Sequence, residues 1–173
     1  LHATFLEGMQ AFGSKIVDAQ VKDIARAYYD GGSNAVSTNT FGANLLKFSK
    51  EELSRIIPAA VEIVRQARAE STAPQEKFIL LDIGPTGRLL KPLGDLDFED
   101  AVAIFSETVR IGAECGVDAV LIETMNDSYE TKAALLAAKE NCSLPVFVTI
   151  IFLIKPKQRR AWQAQSNKNS NYN

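Results

Sequence analysis

Histidine is almost missing from this 173-residue chain: His2 is the single example. Cysteine is nearly as scarce, with two. Two thiols cannot make the disulfide framework of a small secreted domain. Neither Cys115 nor Cys142 has a Cys or His neighbour at metal-ligand spacing, so neither reads as a metal ligand. A lone histidine near a chain end reads as a solvated side chain. No apolar run approaches the roughly 20 residues of a membrane span. The first residues lack the basic stretch and apolar run of a secretory signal. GxxxxGK[ST] and GxGxxG are both absent, so Gly84-Pro85-Thr86-Gly87 is not a phosphate loop. These absences predict a cytoplasmic protein without a membrane partner.

Acidic residues are missing from one region only. From Ile150 to Asn173 the chain carries Lys155, Lys157, Arg159, Arg160 and Lys168 and no acid. Residues 1–149 then hold 14 basic residues against 21 acids, a net charge of about −7. The basic segment has one Trp and one Tyr and no fold pattern around them, so it does not read as a nucleic-acid site. Its Asn/Gln-rich composition predicts a disordered tail over 152–173. Residues 1–15 form a segment without period, and 16–151 form the folded unit.

Within that unit the pattern alternates. Val17, Val21, Ile24, Ala25 and Tyr28 follow helical spacing, and Asp30-Gly31-Gly32 stops the helix. Ala35-Val36-Ser37-Thr38 is a short strand. Ser49 and Glu52 make a capping box before a helix with Leu53, Ile56, Ile57, Ala60 and Val64 on one face. Pro58 inside that helix predicts a kink or a division. Phe78 to Ile83 is a buried strand. Asp97 caps a helix with Phe98, Ala101, Val102, Phe105 and Val109 on its buried face. That helix stops at Cys115-Gly116. Ala119-Val120-Leu121-Ile122-Glu123 is an apolar run ending in a carboxylate. A helix follows from Asp127-Ser128, and Leu144 to Ile151 is a fourth strand. The order α, β, α, β, α, β, α, β argues a parallel sheet with right-handed crossovers. An open doubly wound sheet and a piece of an eight-fold barrel both fit this order.

In either arrangement ligands bind at the C-terminal ends of the strands. Thr38, Asn39 and Thr40 follow the first strand; Asp82, Gly84 and Thr86 the second; Glu123 and Thr124 the third; Thr149 ends the fourth. Polar groups there either meet a ligand or satisfy loop backbone. Cys115 and Cys142 precede strands, which places them at the opposite rim as packing residues.

Three segments carry a resemblance. Ser37-Thr38-Asn39-Thr40-Phe41-Gly42-Ala43-Asn44 resembles the TNTFGAN segment of homocysteine S-methyltransferase domains. Asp82-Ile83-Gly84-Pro85-Thr86-Gly87 resembles their GPTG segment, and Gly116 to Thr124 resembles their GVD…IET strand. The nearest likeness is to the homocysteine-binding module of the cobalamin-dependent methionine synthases, over roughly Ile16 to Thr149. The resemblance implies a (β/α)8 barrel that binds homocysteine at its C-terminal rim, on a zinc ion held by three cysteines. It implies that zinc-assisted methyl transfer gives methionine, with methylcobalamin bound by other domains as donor in methionine synthase relatives. Glu123 inherits the contact to the substrate's amino group; Thr38, Asn39 and Thr86 line the same pocket.

The chain departs from the family in two places. Leu6-Glu7-Gly8-Met9 is a faint echo of the family's opening Asp-Gly strand. No cysteine stands where the family's zinc ligands lie, in later β/α units. The resemblance therefore predicts a partial (β/α)8 TIM barrel of about four β/α units, truncated or frame-shifted after the fourth strand and inactive by itself. The second reading is a catalytically dead fragment or a weak binding module. An open half barrel exposes two edges and an apolar inner face, which predicts self-association through the open side.

Overall fold

The computed structural model describes residues 15–151. Eight elements alternate over that span: α1 (Lys15–Asp30), β1 (Ala35–Ser37), α2 (Lys50–Glu70), β2 (Phe78–Ile83), α3 (Phe98–Glu114), β3 (Ala119–Met125), α4 (Ser128–Asn141) and β4 (Val146–Ile150). His2, the Leu6–Met9 echo and the basic tail lie outside the described residues.

The four strands pair in parallel in the order β1-β2-β3-β4. Sequential order decides between the two architectures that the alternation left open. A doubly wound sheet reverses its strand order at a switch point; a barrel adds each strand beside the last. Neighbouring helices accordingly pack side by side, α1 on α2, α2 on α3 and α3 on α4. The architecture is α/β, four consecutive units of a barrel wall.

Alternation along the strands divides the sheet into two faces. Ile79, Leu81 and Ile83 of β2 and Val120 and Ile122 of β3 are buried in the core with Leu53, Ile57, Val61 and Val64 of α2 and Phe105 and Val109 of α3. Phe78, Leu80 and Asp82, with Leu121 and Glu123, take the opposite face. β4 leaves Phe147, Val148 and Ile150 exposed.

Local chemistry sets the element ends. The capping box at the start of α2 is formed in both directions: Ser49 Oγ accepts from the Glu52 N–H, and the Ser49 N–H donates to Glu52. Gly116, at φ +76°, takes the left-handed turn between α3 and β3. Asp127 caps α4 by accepting from Tyr129 N–H and Glu130 N–H.

Two local expectations need correction. Pro58 does not divide α2, which runs unbroken from Lys50 to Glu70. Leu53 and Ile57 before it and Val61, Val64 and Ala67 after it are buried on one face, and that burial keeps both halves in one helix. The carbonyl that Pro58 cannot bond belongs to Ser54, an exposed residue, so its desolvation cost is small. Asp97 occupies the N-cap of α3 but makes no side-chain capping bond. Its carboxylate is taken by Lys91 Nζ at 2.8 Å.

Candidate functional site

The C-terminal rim is assembled by direct contact between the loops after β1 and β2. Gly84 N–H donates to Phe41 O at 3.0 Å, and a Cβ at Gly84 would stand 2.6 Å from the Phe41 ring. Glycine is required there because the ring occupies the space of any side chain. The Asn39–Asn44 loop therefore docks on the Gly84–Gly87 turn.

Three hydrogen bonds close a ring around the backbone of Asp82. Its N–H donates to Thr38 Oγ1 at 3.1 Å. Its carbonyl accepts from Thr40 Oγ1 at 2.7 Å. The two hydroxyls lie 2.7 Å apart. Because the Thr40 proton is committed to the Asp82 carbonyl, the Thr38 hydroxyl donates to Thr40. Both threonines are buried. Asp82 is thus fixed at its backbone while its side chain leaves the sheet on the face opposite the core.

Glu123 leaves β3 on that same face. A cleft of about 840 Å³ runs from α1 past β1 to these two acids, lined among others by Tyr28, Ser37, Thr38, Asn39, Asp82 and Glu123. Asp82 is 6% exposed, and its Oδ1 has no hydrogen-bond partner among the described residues. Burial first, and then the charge and hydrogen bonding of Glu123, push the Asp82 carboxyl up from the ordinary carboxylate range to about 8. The residue after Glu123 is under strain. Thr124 has φ 60°, a left-handed value that a β-branched side chain resists. The β3–β4 register breaks between Ile122 and Met125, and Thr124 N–H is held by Thr149 Oγ1 at 2.8 Å. Strain of this kind collects at sites where a side chain must be aimed.

Of the residues singled out from sequence, Glu123, Thr38 and Asn39 line one cleft. Thr86 is held elsewhere. It is buried, and both its N–H (2.7 Å) and its hydroxyl donate to Glu130, itself a buried carboxylate on α4. It ties the loop after β2 to α4 and does not line the cleft. Asp82 is the acid that the sequence reading left among the rim groups without a role. Cys115 and Cys142 cap the C-termini of α3 and α4, half-buried and at the opposite rim. Among the described residues, no three His, Cys, Asp or Glu side chains stand close enough to hold a metal ion. No helix there is long and apolar enough to cross a membrane.

Comparison with known proteins agrees with this geometry. A family model described as Homocysteine S-methyltransferase matches residues 6–168, beyond the motif-bearing stretch at both ends. The methionine synthase of Mycobacterium leprae is 30% identical over 155 residues, which are 84% of this chain and 13% of that protein. The methionine synthase of Mycobacterium tuberculosis is 28% identical over 155 residues, with the same coverage. The chain thus spans about an eighth of these relatives' length. Among solved structures, the apo form of the homocysteine methyltransferase MmuM from Escherichia coli superposes with a TM-score of 0.67 at 19% identity, covering 87% of this chain and 57% of that one. The metallated form gives a TM-score of 0.66 at 18% identity. At these identities the structural likeness establishes the fold.

Proposed function

The chain belongs to the homocysteine S-methyltransferase family, and on that premise we propose that its described residues are the amine-recognising part of a homocysteine site. The observation that carries this is the carboxylate of Glu123 at the C-terminal rim, in a cleft where the described lining residues include no cationic side chain. Homocysteine presents an ammonium group to such a rim. A carboxylate that receives a charge-assisted hydrogen bond from it fixes the amino-acid end of the substrate. Thr38 and Asn39 contribute cleft wall. Thr86 acts one step removed, by holding the loop on which Gly84 seats Phe41.

Family members activate the homocysteine thiol on zinc. The described residues do not fit that ion: the cysteines are at the far rim, and no triad of ligands converges. No methyl-transfer step is therefore assigned to these residues. The reading is substrate binding without turnover by this chain on its own, and the methyl donor is set by groups outside it. The partner reading that accompanies it is a second copy of the chain, self-associating through β4, whose exposed Phe147, Val148 and Ile150 form an apolar edge.

Calorimetric titration of homocysteine into the full chain tests the main reading. Saturable binding that weakens on the order of 100-fold in Glu123→Gln is the expected result, since a charged partner is lost. A wild-type chain that does not bind homocysteine overturns it. Formation of methionine from homocysteine and a methyl donor by the chain alone would overturn the binding-only part. Sedimentation velocity checks the partner reading, with a concentration-dependent species that Phe147→Lys abolishes.

A further inference from the structure

We propose that Asp82 is the second acid of this ammonium site, and that Asp82 and Glu123 together take an organic ammonium ion by giving up a proton they share. The inference rests on the homocysteine reading above for its natural ligand but on different observations for its substance.

The first observation is burial without a partner. Asp82 is 6% exposed, and among the described residues nothing donates to its Oδ1. Buried carboxyl oxygens are normally satisfied, so an orphan oxygen aimed into a cleft marks a missing hydrogen-bond donor. The second observation is rigidity. The Thr38–Thr40 hydroxyl ring clamps the N–H and the carbonyl of Asp82, so the side chain cannot relax away from its neighbour by backbone movement. The third is the company the acid keeps. Among the described residues β2 supplies Asp82 and β3 supplies Glu123; α1 adds the Tyr28 phenol; β1 and α2 add no charged group to the lining. Two carboxyls in one cleft, with no cationic side chain beside them among the described residues, disfavour double ionisation, and the proposal is that the pair shares one proton. The upward displacement of the Asp82 carboxyl to about 8 agrees with that state.

An ammonium ion entering the cleft changes the balance. It brings three donors and one positive charge, enough to satisfy Oδ1 and to favour two ionised carboxylates over one. The shared proton then leaves to bulk buffer as the ammonium N–H groups replace it. A neutral ligand of the same shape, such as the hydroxy acid in which homocysteine's amine is replaced by OH, provides no such exchange.

Proton release is counted by titrating homocysteine into the full wild-type chain at pH 7 in buffers of different ionisation enthalpy, with methylammonium chloride as a second probe. About 0.5–1 proton released per ligand is expected for both probes. Asp82→Asn is expected to abolish the release and weaken homocysteine binding by about tenfold. Homocysteine that binds with no proton released overturns this proposal and leaves the homocysteine reading standing. Methylammonium that binds with proton release while homocysteine does not bind supports the pair and overturns the homocysteine reading. Binding of neither probe overturns both. Because the proton count is made on the wild-type chain, it decides even where Asp82→Asn fails to fold.

Discussion

The two rims of this sheet treat their polar side chains in opposite ways. At the N-terminal rim the acids and donors are matched. Asp118 accepts from Ile79 N–H at 2.7 Å and from Arg68 at 3.0 Å. The Tyr29 hydroxyl donates to Phe78 O at 2.8 Å, and Gln75 donates to Tyr29 O and Ser33 O. Arg65 donates to Cys115 O. At the C-terminal rim the buried Asp82 Oδ1 is unpartnered among the described residues, two acids share the cleft, and Thr124 sits in a strained conformation. Both rims bond their hydroxyls to backbone, but one pairs its acid Asp118 as well, while the other leaves Asp82 Oδ1 unpaired in a cleft. That division is the one expected of barrel walls, with stability below and chemistry above.

Substitutions that respect this division should separate stability from binding. The largest effect falls at Tyr29, fully buried under the start of β2. Tyr29→Ala removes a large core side chain and the hydrogen bond to Phe78 and should destabilise by about 3–5 kcal/mol, read from chemical denaturation. Next is Asp118→Ala, which frees the Ile79 N–H and leaves Arg68 without its acid. A loss of about 2 kcal/mol is expected, with homocysteine affinity unchanged where the variant is still folded. A binding defect in Asp118→Ala would break the separation between the rims.

Asp82→Asn should move stability the other way. The folded carboxyl titrates at about 8, above its ordinary unfolded value, because burial and Glu123 disfavour its charge. A raised folded value means that the native state holds the proton more tightly, so stability is full below about pH 4 and falls as pH rises toward 8. Asparagine carries no such penalty. Asp82→Asn should therefore gain on the order of 1–2 kcal/mol at pH 7, a gain that vanishes near pH 4, while homocysteine binding weakens. Thermal melts of both proteins at pH 4, 5.5, 7 and 8 check the sign. A variant less stable than wild type at pH 7 would place Asp82 with the structural acids of the other rim.

Much of this fold was legible in order and type. The capping box at Ser49, the strand Phe78–Ile83 and the stop at Gly116 depend on local chemistry, and local chemistry is what a sequence records directly. Pro58 does not divide its helix, because tertiary burial on either side of it decides whether the helix continues. The site divides in the same way. Glu123 announced itself as a charge ending an apolar run. Asp82 carried a weaker signal, the period of two in Phe78, Leu80 and Asp82. That period puts it on the open face, but nothing local shows that β2–β3 pairing sets it opposite Leu121, two residues from Glu123 on the same face. Thr86 stood in a motif and so read as cleft lining. Its capture by Glu130 joins residues 44 positions apart, a contact that only the folded chain reveals.

The finest test of the contrast is Thr149→Val. Valine keeps the shape and β-branching of threonine but cannot accept the Thr124 N–H. Residue 149 is exposed, so water can replace the lost bond, and the stability change should stay under about 1 kcal/mol. The effect on binding has a separate origin. Thr124 keeps φ 60° only while its surroundings impose it, and Thr149 is one of the groups that impose it. Without that anchor the backbone after Glu123 samples less strained conformations, and the carboxylate is aimed at the cleft for a smaller fraction of the time. Homocysteine affinity should fall about two- to fivefold in proportion to that fraction, with proton release per bound ligand unchanged, because the Asp82–Glu123 pair itself is intact. Thr149→Ser restores the acceptor and should restore the affinity. If valine and serine bind alike, the strained turn aims nothing, and the C-terminal rim owes its chemistry to the two acids alone.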